Sequence, residues 1–445
     1  MRSDHPVAIG NTLGFSKQKS KLDMNASKAI IVSLIGVVAS IGAARAQIYD
    51  TNNEMVQTFA GYGLPYYADG QGQFSAFWLP SQIVADTASN LYVWDSGNSR
   101  LREITPSATV TTLAGGGTQF EGYGTNVSLS WATGGALAMD HVNKLWLVMA
   151  GGYYGGTYLL SITTNGYVAL ENGGLTNLGS ASGLCFDSAN RLYYTGGNRI
   201  FRYDPVSKLV EPFAGNGLAG NFDGQGTVFT AFSSPGALAC DQADNLYVWD
   251  SGNGTIRRID QNQNVTTIAG NGYTYYNTDG TGTNAAFGYN SVASMFADGT
   301  GNIYFVGNGC IRRMDAQTNI VTLAGAFYSQ TGYVNGPGNV ARFDNPVGGC
   351  YDQGTIYIAD AGNNRIRDLT FNAAAQAATP AGLQIQTYAG VQITGTIGRT
   401  YQVQSSPDMT NWTTVATLLL TSSPYLWVDT NPVAGTKFYR AVLVP

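Results

Sequence analysis

The amino-acid sequence predicts an all-β fold, and three observations support this prediction. The 445 residues include 57 glycines and 27 tyrosines but only 11% charged residues, a composition typical of chains rich in turns and half-buried strands. A short motif recurs at a mean spacing of roughly 53 residues, the size of a four-stranded unit. The last unit lacks a strand that stands ahead of the first unit. These observations together predict a six-bladed β-propeller closed by an N-terminal strand, with a small C-terminal β-sandwich-like module.

The recurring motif has the form Thr-x-Ala-Gly, with some variation. Five copies and one degenerate copy occur, at 58–61, 112–115, 169–173, 212–215, 267–270 and 322–325. Between them, each unit carries three short apolar runs separated by Asp, Asn and Gly, which we interpret as strands a, b and c, while the motif itself forms strand d. Frequent turns exclude long helices.

The ends of the repeat array favour a closed ring over an open stack. The array begins with an isolated strand d, Val56–Ala60, whereas the last unit stops at Arg365–Thr370 without one. Pairing of the two segments would cover strand edges that otherwise stay exposed.

The b and c strands carry a further signature. Asn245-Leu-Tyr-Val-Trp-Asp250 leads into Ser251-Gly-Asn253 and Ile256, and Asn90 to Leu101 and Thr355 to Ile366 follow the same pattern. This pattern resembles the NHL-repeat propellers over about 54–370. The resemblance implies a propeller fold and leaves the chemistry open, because one propeller scaffold hosts many activities.

An export signal is predicted near the start of the chain. Lys28 precedes the apolar run Ala29–Ala39, and Ala44-Arg45-Ala46 supplies small residues at a cleavage point before Gln47. An uncleaved anchor is the alternative, although the run is shorter than the roughly 20 residues that a spanning helix needs. We therefore assign 1–46 to a signal peptide with an N-terminal extension, 47–371 to the propeller, 372–380 to a linker and 381–445 to the β-sandwich-like module.

The net charge of the chain limits the classes of binding partner that we expect. Removal of 1–46 takes six of the 23 basic residues and two of the 28 acidic residues, which leaves a net charge of −9. An acidic surface argues against nucleic acid and anionic membranes as partners, and no membrane span is expected after cleavage. The predicted partner is an extracellular or periplasmic protein, peptide or glycan.

The four cysteines show no CxxC spacing. Cys185, Cys240, Cys310 and Cys350 each lie in an apolar, strand-like context, so buried free thiols are the preferred interpretation and disulfides the alternative.

Catalytic chemistry finds little support in the sequence. After cleavage one histidine remains, His141, which excludes a three-histidine metal site and leaves triads without a convincing base. No catalytic residue, metal ligand or cofactor is therefore assigned. A gluconolactonase-like or lyase-like enzyme with carboxylate and Asn ligands in the central channel is the alternative to a non-catalytic binding protein.

The Asp-Gly-x-Gly loops at Asp69, Asp223 and Asp279 could in principle bind Ca²⁺, but each offers one carboxylate, so turn formation is the preferred interpretation. Asp95, Asp250 and Asp360 at the b–c hairpins are predicted to brace the backbone. Arg257 and Arg365 are their expected partners.

Strand parity predicts the binding face. In a four-stranded meander the d–a connectors and the b–c hairpins emerge on one side, and here both are rich in aromatic residues. We hypothesise a ligand surface, since tyrosine provides rigid contact area at low entropic cost. The alternative is that these rings pin the connectors to the sheets. The residues of this predicted surface are Tyr66, Tyr67, Tyr123, Tyr153, Tyr154, Tyr275, Tyr276 and Tyr333.

Overall fold

The computed structural model describes residues 54–130, 133–150, 157–171, 181–272, 277–288, 292–327, 330–371, 390–393, 396–421, 425–428 and 438–444. These residues belong to two compact units, one within Ala43–Thr379 and one within Pro380–Pro445. Among them, no helix has the length and apolar character needed to cross a membrane.

The larger unit consists of antiparallel sheets of four or five strands, the architecture of a β-propeller. Its first strand is β1, Met55–Ala60. Sheet 1 contains β2 (Gly70–Gln71), β3 (Pro80–Ala85), β4 (Leu91–Asp95), β5 (Arg100–Ile104) and β6 (Thr109–Ala114). Sheet 2 contains β7 (Gly122–Tyr123), β8 (Thr133–Met139), β9 (Lys144–Ala150), β10 (Thr157–Thr163) and β11 (Tyr167–Leu170). Sheet 3 contains β12 (Leu184–Phe186), β13 (Leu192–Gly196), β14 (Arg199–Tyr203) and β15 (Val210–Ala214).

The remaining sheets of this unit repeat the order. Sheet 4 contains β16 (Gly224–Gln225), β17 (Pro235–Cys240), β18 (Leu246–Asp250), β19 (Thr255–Ile259) and β20 (Asn264–Ala269). Sheet 5 contains β21 (Gly280–Thr281), β22 (Ser294–Ala297), β23 (Ile303–Gly307), β24 (Cys310–Met314) and β25 (Asn319–Gly325). Sheet 6 contains β26 (Gly336–Pro337), β27 (Pro346–Asp352), β28 (Thr355–Asp360) and β29 (Arg365–Thr370). Single 3₁₀ turns span Gly72–Phe74, Ser96–Asn98, Gly124–Asn126, Gly282–Asn284 and Ala361–Asn363.

The N-terminal strand belongs to the last sheet. β1 pairs antiparallel with β29, with Met55 opposite Thr370 and Thr58 opposite Arg367. The outer strand of sheet 6 therefore comes from the segment that precedes sheet 1.

Within the described residues, which omit 172–180 before sheet 3, the other five sheets each have a two-residue strand that the sequence did not predict. The second and third residues of the Asp-Gly-x-Gly loop pair with the start of the outermost strand, as Gly70 does with Val110 and Gly224 with Val265. Gly70 and Gly224 have φ values of 159° and 153°. The connector thus descends along the outer edge of its sheet and returns between two sheets, where Ala76 and Phe77 are buried.

The structure of the a–b turns shows why an Asp recurs at the end of strand a. Asp86 Oδ1 accepts hydrogen bonds from the backbone N–H groups of Ala88 and Asn90, and its Oδ2 accepts one from Tyr92 Oη at 3.1 Å. Asp241 holds the corresponding turn of sheet 4 in the same way. These aspartates close turns, as short polar side chains do when they bond to the backbone two residues on.

The smaller unit is also built of antiparallel strands. Its strands are β30 (Gly390–Ile393), β31 (Thr400–Ser406), β32 (Thr413–Leu419), β33 (Tyr425–Val428) and β34 (Phe438–Leu443). β31 lies between β32 and β34, and β30 pairs with β33. Ile393, Tyr401, Val403 and Leu420 form its buried core.

Candidate functional site: a central cavity and the connector face

A cavity of about 290 Å³ lies within the larger unit and is lined by the innermost strand of each sheet. Those strands are β3, β8, β12, β17, β22 and β27. Each contacts the next in this order, and β27 contacts β3. One strand of every sheet therefore faces a common space.

Most residues of the cavity wall have small or apolar side chains. Alanine and glycine recur on the six strands, and the polar side chains include Gln82, Ser182 and Ser294. Three thiols, those of Cys185, Cys240 and Cys350, also belong to the wall. Within the part of the chain that the structure describes, no group of three or more His, Cys, Asp or Glu side chains is arranged to hold a metal ion.

The histidine His141 lies away from this wall. It follows β8 in an a–b turn, and its Nε2 is 2.8 Å from the carbonyl oxygen of Asp187 in the neighbouring turn. His141 thus ties two turns together at the ends of the inner strands.

The b–c hairpins and the connectors meet on one face, which we call the connector face. Gly97 N donates to Trp78 O at 2.8 Å in sheet 1, and Gly252 N donates to Ser233 O at 2.7 Å in sheet 4. In sheet 1, Asn98 Nδ2 also donates to Tyr66 O at 3.2 Å. The hairpins therefore hold the connectors in place through hydrogen bonds to the connector backbone.

A second cavity, of about 320 Å³, lies beside this hairpin layer. Trp249, Ser251 and Phe287 contribute to its wall, and it shares Ser182 and Ala237 with the central cavity. The rings of Trp249 and Phe287 are 5.3 Å apart. The central cavity is thus adjoined by an aromatic recess next to the connector face.

Four of the predicted surface tyrosines are described, and all four are exposed. Tyr67 and Tyr333 occupy equivalent positions on the connectors of sheets 1 and 6. The Arg100 guanidinium lies 4.2 Å from the Tyr67 ring centroid, and that of Arg365 lies 3.9 Å from the Tyr333 ring centroid. Each hydroxyl also contacts a threonine of an outermost strand, Thr112 at 3.1 Å and Thr58 at 2.7 Å.

Tyr67 and Tyr333 therefore anchor connectors through the ring and the hydroxyl. Cation–π contacts of this kind contribute about 0.5–1 kcal/mol at exposed sites. Arg365, predicted as a partner of Asp360, instead stacks on Tyr333 and donates to the carbonyl oxygen of Tyr62 at 2.6 Å. The partner of Asp360 is Arg367, two residues later on the same strand.

Tyr123 lies apart from this pair. It is on β7 at the outer edge of sheet 2, where its ring centroid is 4.8 Å from that of Tyr167. Tyr66 is exposed beside the sheet 1 hairpin. Tyr153, Tyr154, Tyr275 and Tyr276 lie outside the described residues.

Trp78 is a surface residue of the connector face that the sequence analysis missed. Its backbone N–H donates to Asp95 Oδ1 at 2.8 Å, and a Cβ added to Gly97 would lie 2.5 Å from its ring. The indole is 45% exposed even so. Ser233 and Asp344 make the same backbone contact in sheets 4 and 6. Aligning the repeats at this position would have shown a tryptophan where other units have small or acidic residues.

Buried arginines lie beneath the connectors. The guanidinium of Arg257 donates to Asp250 at 2.8 Å, to Asp223 at 2.7 Å and to the carbonyl oxygens of Ala231 and Phe222. Arg257 and Asp250 are fully buried. Burial raises the pKa of Asp250, although its hydrogen bonds from Asn253, Ser233 and Arg257 act in the opposite direction.

The same arrangement recurs in other sheets. Arg102 joins Asp95 and Asp69, Arg312 joins Asp279, and Arg367 joins Asp360. The Asp-Gly-x-Gly loops thus supply carboxylates to buried arginines as well as forming turns. The predicted contact between Asp250 and Arg257 is present.

Comparisons with known proteins show the fold. A structural genomics protein of unknown function from Bacteroides thetaiotaomicron is 20% identical with a TM-score of 0.56, and the match covers 71% of this chain and 76% of that one. Auxiliary nutrient binding proteins from Bacteroides thetaiotaomicron and Bacteroides ovatus are both 18% identical, with TM-scores of 0.54 and 0.55. These two matches cover 71% and 72% of this chain and 76% of each neighbour. The larger unit has a β-propeller fold.

One curated relative shares sequence similarity. The chloroplastic protein SUPPRESSOR OF QUENCHING 1 of Arabidopsis thaliana is 25% identical over 322 residues, which are 69% of this chain and 26% of the relative. The chain therefore spans about a quarter of that relative's length. No protein-family model matches the chain.

Proposed function

We propose that this protein is an exported, non-catalytic binding propeller that recognises a polysaccharide, peptide or protein on its connector face. In this proposal sheets 1 to 6 are the six blades of a closed ring of the NHL-repeat type. Cleavage before Gln47 releases the chain to the cell surface, the periplasm or the medium.

Two contacts support a closed ring. β1 pairs with β29, so sheet 6 takes its outer strand from the beginning of the chain. β27 contacts β3, so the innermost strands of sheets 6 and 1 also adjoin. The pairing of β1 covers the strand edge that β29 would otherwise expose, and the contact between β27 and β3 places the first and last units side by side.

The observation on which the binding proposal rests is the exposed Trp78 ring. Its backbone is fixed by Asp95 and its ring packs against Gly97, so it loses little conformational entropy when a ligand contacts it. Exposed Tyr66 and Tyr62 lie on the same connector. Rigid aromatic residues of this kind dominate binding energy at protein surfaces.

The cavity chemistry favours binding over catalysis. A gluconolactonase-like or lyase-like site needs acids, bases or metal ligands directed into the channel. The described part of the cavity wall instead presents backbone, aliphatic and aromatic groups, hydroxyls, thiols and the Gln82 carboxamide. Two of the structural neighbours are auxiliary nutrient binding proteins, which agrees with a binding role.

A glycan and peptide array probed with the chain from Gln47 onward tests this proposal. The Trp78→Ala/Tyr66→Ala variant should bind the captured ligand at least about tenfold more weakly, because hot-spot aromatics contribute more than about 1.4 kcal/mol. Phe74→Ala is the matched control, since it removes a ring that is 84% exposed on the 3₁₀ turn following β2. Equal binding by all three proteins would exclude the connector face. The predicted residues Tyr153, Tyr154, Tyr275 and Tyr276 enter the second round of substitutions.

The enzymatic alternative has its own measurement. The purified protein is incubated with divalent metals and a panel of lactones and esters, and crystals are soaked with the same metals. Turnover together with metal density in the central cavity would replace the binding proposal by catalysis.

A further inference from the structure

The strand registers place one pair of side chains at each junction between neighbouring inner strands. Cys185 lies opposite Tyr193 on β13, and Cys240 lies opposite Leu246 on β18. The equivalent positions in the other sheets follow from the same registers, because each b strand contains an aliphatic residue followed directly by an aromatic one. The six junction pairs are Val84 with Met139, Ala138 with Phe186, Cys185 with Cys240, Ala239 with Ala297, Phe296 with Tyr351, and Cys350 with Ala85.

Packing agrees with this assignment. Cys185 and Cys240 belong to one apolar cluster between sheets 3 and 4, together with Leu238 and Leu246. Cys350 belongs to the corresponding cluster between sheets 6 and 1, in which Ala85 takes the second position. Of the six pairs, the one between sheets 3 and 4 brings two thiols together.

The two thiols pack in the same apolar cluster. The neighbouring Cys240 thiol and burial both raise the pKa of the Cys185 thiol well above its ordinary value. Cys240 in turn is 3.7 Å from the carbonyl oxygen of Asp241, to which it donates. Both cysteines are free, and both line the central cavity.

We propose that Cys185 and Cys240 are a dithiol modification site, which small-molecule disulfides convert into a disulfide linking sheets 3 and 4 at the cavity wall. The bond would close a loop that includes strands b, c and d of sheet 3. It would hold together two sheets whose innermost strands otherwise meet through side-chain packing.

The chemistry balances with glutathione disulfide as oxidant. One thiolate attacks a sulfur of glutathione disulfide, forms a mixed disulfide and releases one glutathione. The second thiolate attacks the protein sulfur of the mixed disulfide, forms the Cys185–Cys240 bond and releases the second glutathione. Two protein thiols are oxidised, one glutathione disulfide is reduced to two glutathiones, and the two protons lost by the protein thiols end on glutathione thiolates.

The raised pKa of the Cys185 thiol also determines how the oxidation rate depends on pH. The attacking species is the thiolate, and the raised pKa of Cys185 keeps it protonated near neutrality. The oxidation rate should therefore rise steadily as the pH increases from 7 to 9. A cavity open to small molecules supplies the access that exchange requires.

Thiol counting on the full chain tests the proposal. The reduced protein should show four thiols when titrated in denaturant and two after incubation with glutathione disulfide, and peptide mapping should recover a Cys185–Cys240 link. Four remaining thiols, stable glutathione adducts on Cys185 or Cys240, or a link between two chains would each overturn the proposal.

Matched variants separate the pair from the other cysteines. Cys350→Ala should still lose two thiols, whereas Cys240→Ala and Cys185→Ala should lose none to an internal bond. Ala85→Cys recreates the pair beside Cys350, so this variant should lose four of five thiols. Loss of only two in Ala85→Cys would show that junction register alone does not bring the sulfurs together. Each variant is first compared with the parent by its thermal unfolding curve, so that a misfolded protein is recognised before its thiols are counted.

Discussion

Sheets 3 and 4 are neighbours with the same order of strands, but they fill one buried position on strand c differently. Sheet 4 has Arg257, which is paired with Asp250 and Asp223. Sheet 3 has Phe201, whose ring stacks on Tyr194 with centroids 5.2 Å apart. Where Asp250 ends strand b of sheet 4, Gly196 stands in sheet 3.

Together with the other sheets, the comparison shows that the buried arginine occurs where at least one carboxylate pairs with it, since Arg312 pairs with Asp279 although sheet 5 has Gly307 at the hairpin position. A buried arginine is tolerated when carboxylates and carbonyl oxygens satisfy it, since an unpaired buried ion costs several kcal/mol. Sheet 3 lacks the hairpin carboxylate and has an apolar residue in place of the arginine. Sheets 3 and 4 therefore have alternative cores at this position, one aromatic and one ionic, and sheet 2 has the aliphatic Leu160 there.

Arg257→Ala should produce the largest loss of stability in this comparison. It leaves Asp250 buried without its cation, and removal of one partner of a buried ion pair costs about 3–5 kcal/mol. Equilibrium denaturation measures the change in the free energy of unfolding. The control is Arg258→Ala, an exposed neighbour on the same strand, for which a change within about 0.5 kcal/mol is expected.

A double variant sharpens this result. If the unpaired carboxylate causes most of the loss, Arg257→Ala/Asp250→Asn should be more stable than Arg257→Ala alone. If the double variant instead loses the sum of the two single changes in stability, the loss comes from the hydrogen bonds that Arg257 donates to the carbonyl oxygens of Ala231 and Phe222.

Sheet 6 allows the ionic core to be tested by pH. Burial raises the pKa of Asp360 to about 6, even though Asn363, Arg367 and the Asp344 N–H lower it. Between pH ~4 and ~6 the folded protein keeps a proton on Asp360 that the unfolded chain has already released. The free energy of unfolding therefore falls as the pH rises through this window. The two-unit shift corresponds to about 2–3 kcal/mol.

Asp360→Asn removes that titration. The free energy of unfolding of the parent, taken relative to Asp360→Asn, should therefore decrease by about 2–3 kcal/mol from pH 4 to pH 6. Urea denaturation at several pH values measures the difference. A difference that increases over the same interval would mean that Arg367 holds the carboxylate ionised below pH 4.

Much of this architecture could be predicted from the sequence, for physical reasons. Apolar runs and turn residues identify strands because their spacing is local, and the isolated strand d at Val56–Ala60 indicated which partner it lacked. The two-residue strands at Gly70 and Gly224 were missed because two residues carry no periodicity. Arg367 was missed in favour of Arg365 because the two residues lie two positions apart on one strand and therefore share a side of the sheet, so strand periodicity does not distinguish them. Alignment of the repeats does, since Arg367 follows Asp360 by seven residues as Arg257 follows Asp250.

The candidate site was less predictable than the fold. A tyrosine on a connector has the same sequence signature whether it binds a ligand or anchors the loop. Tyr67 and Tyr66 are adjacent in the chain, yet only their surroundings in the fold distinguish an arginine-stacked ring from one beside the hairpin. Trp78 was overlooked because its exposure depends on the glycine that packs beneath it.

The smallest expected effect separates anchoring from binding among these residues. Tyr67→Leu removes the ring from Arg100 and the hydroxyl from Thr112, so the free energy of unfolding should fall by about 0.5–1 kcal/mol. Sheet 4 has Asn221 at the equivalent position, so the connector forms there without this ring. Tyr66→Leu is the matched control and should change stability by less than about 0.5 kcal/mol. If Tyr66→Leu weakens ligand capture while Tyr67→Leu weakens folding, the connector contains one residue for each task, because the ring already stacked on an arginine has less surface left for a ligand.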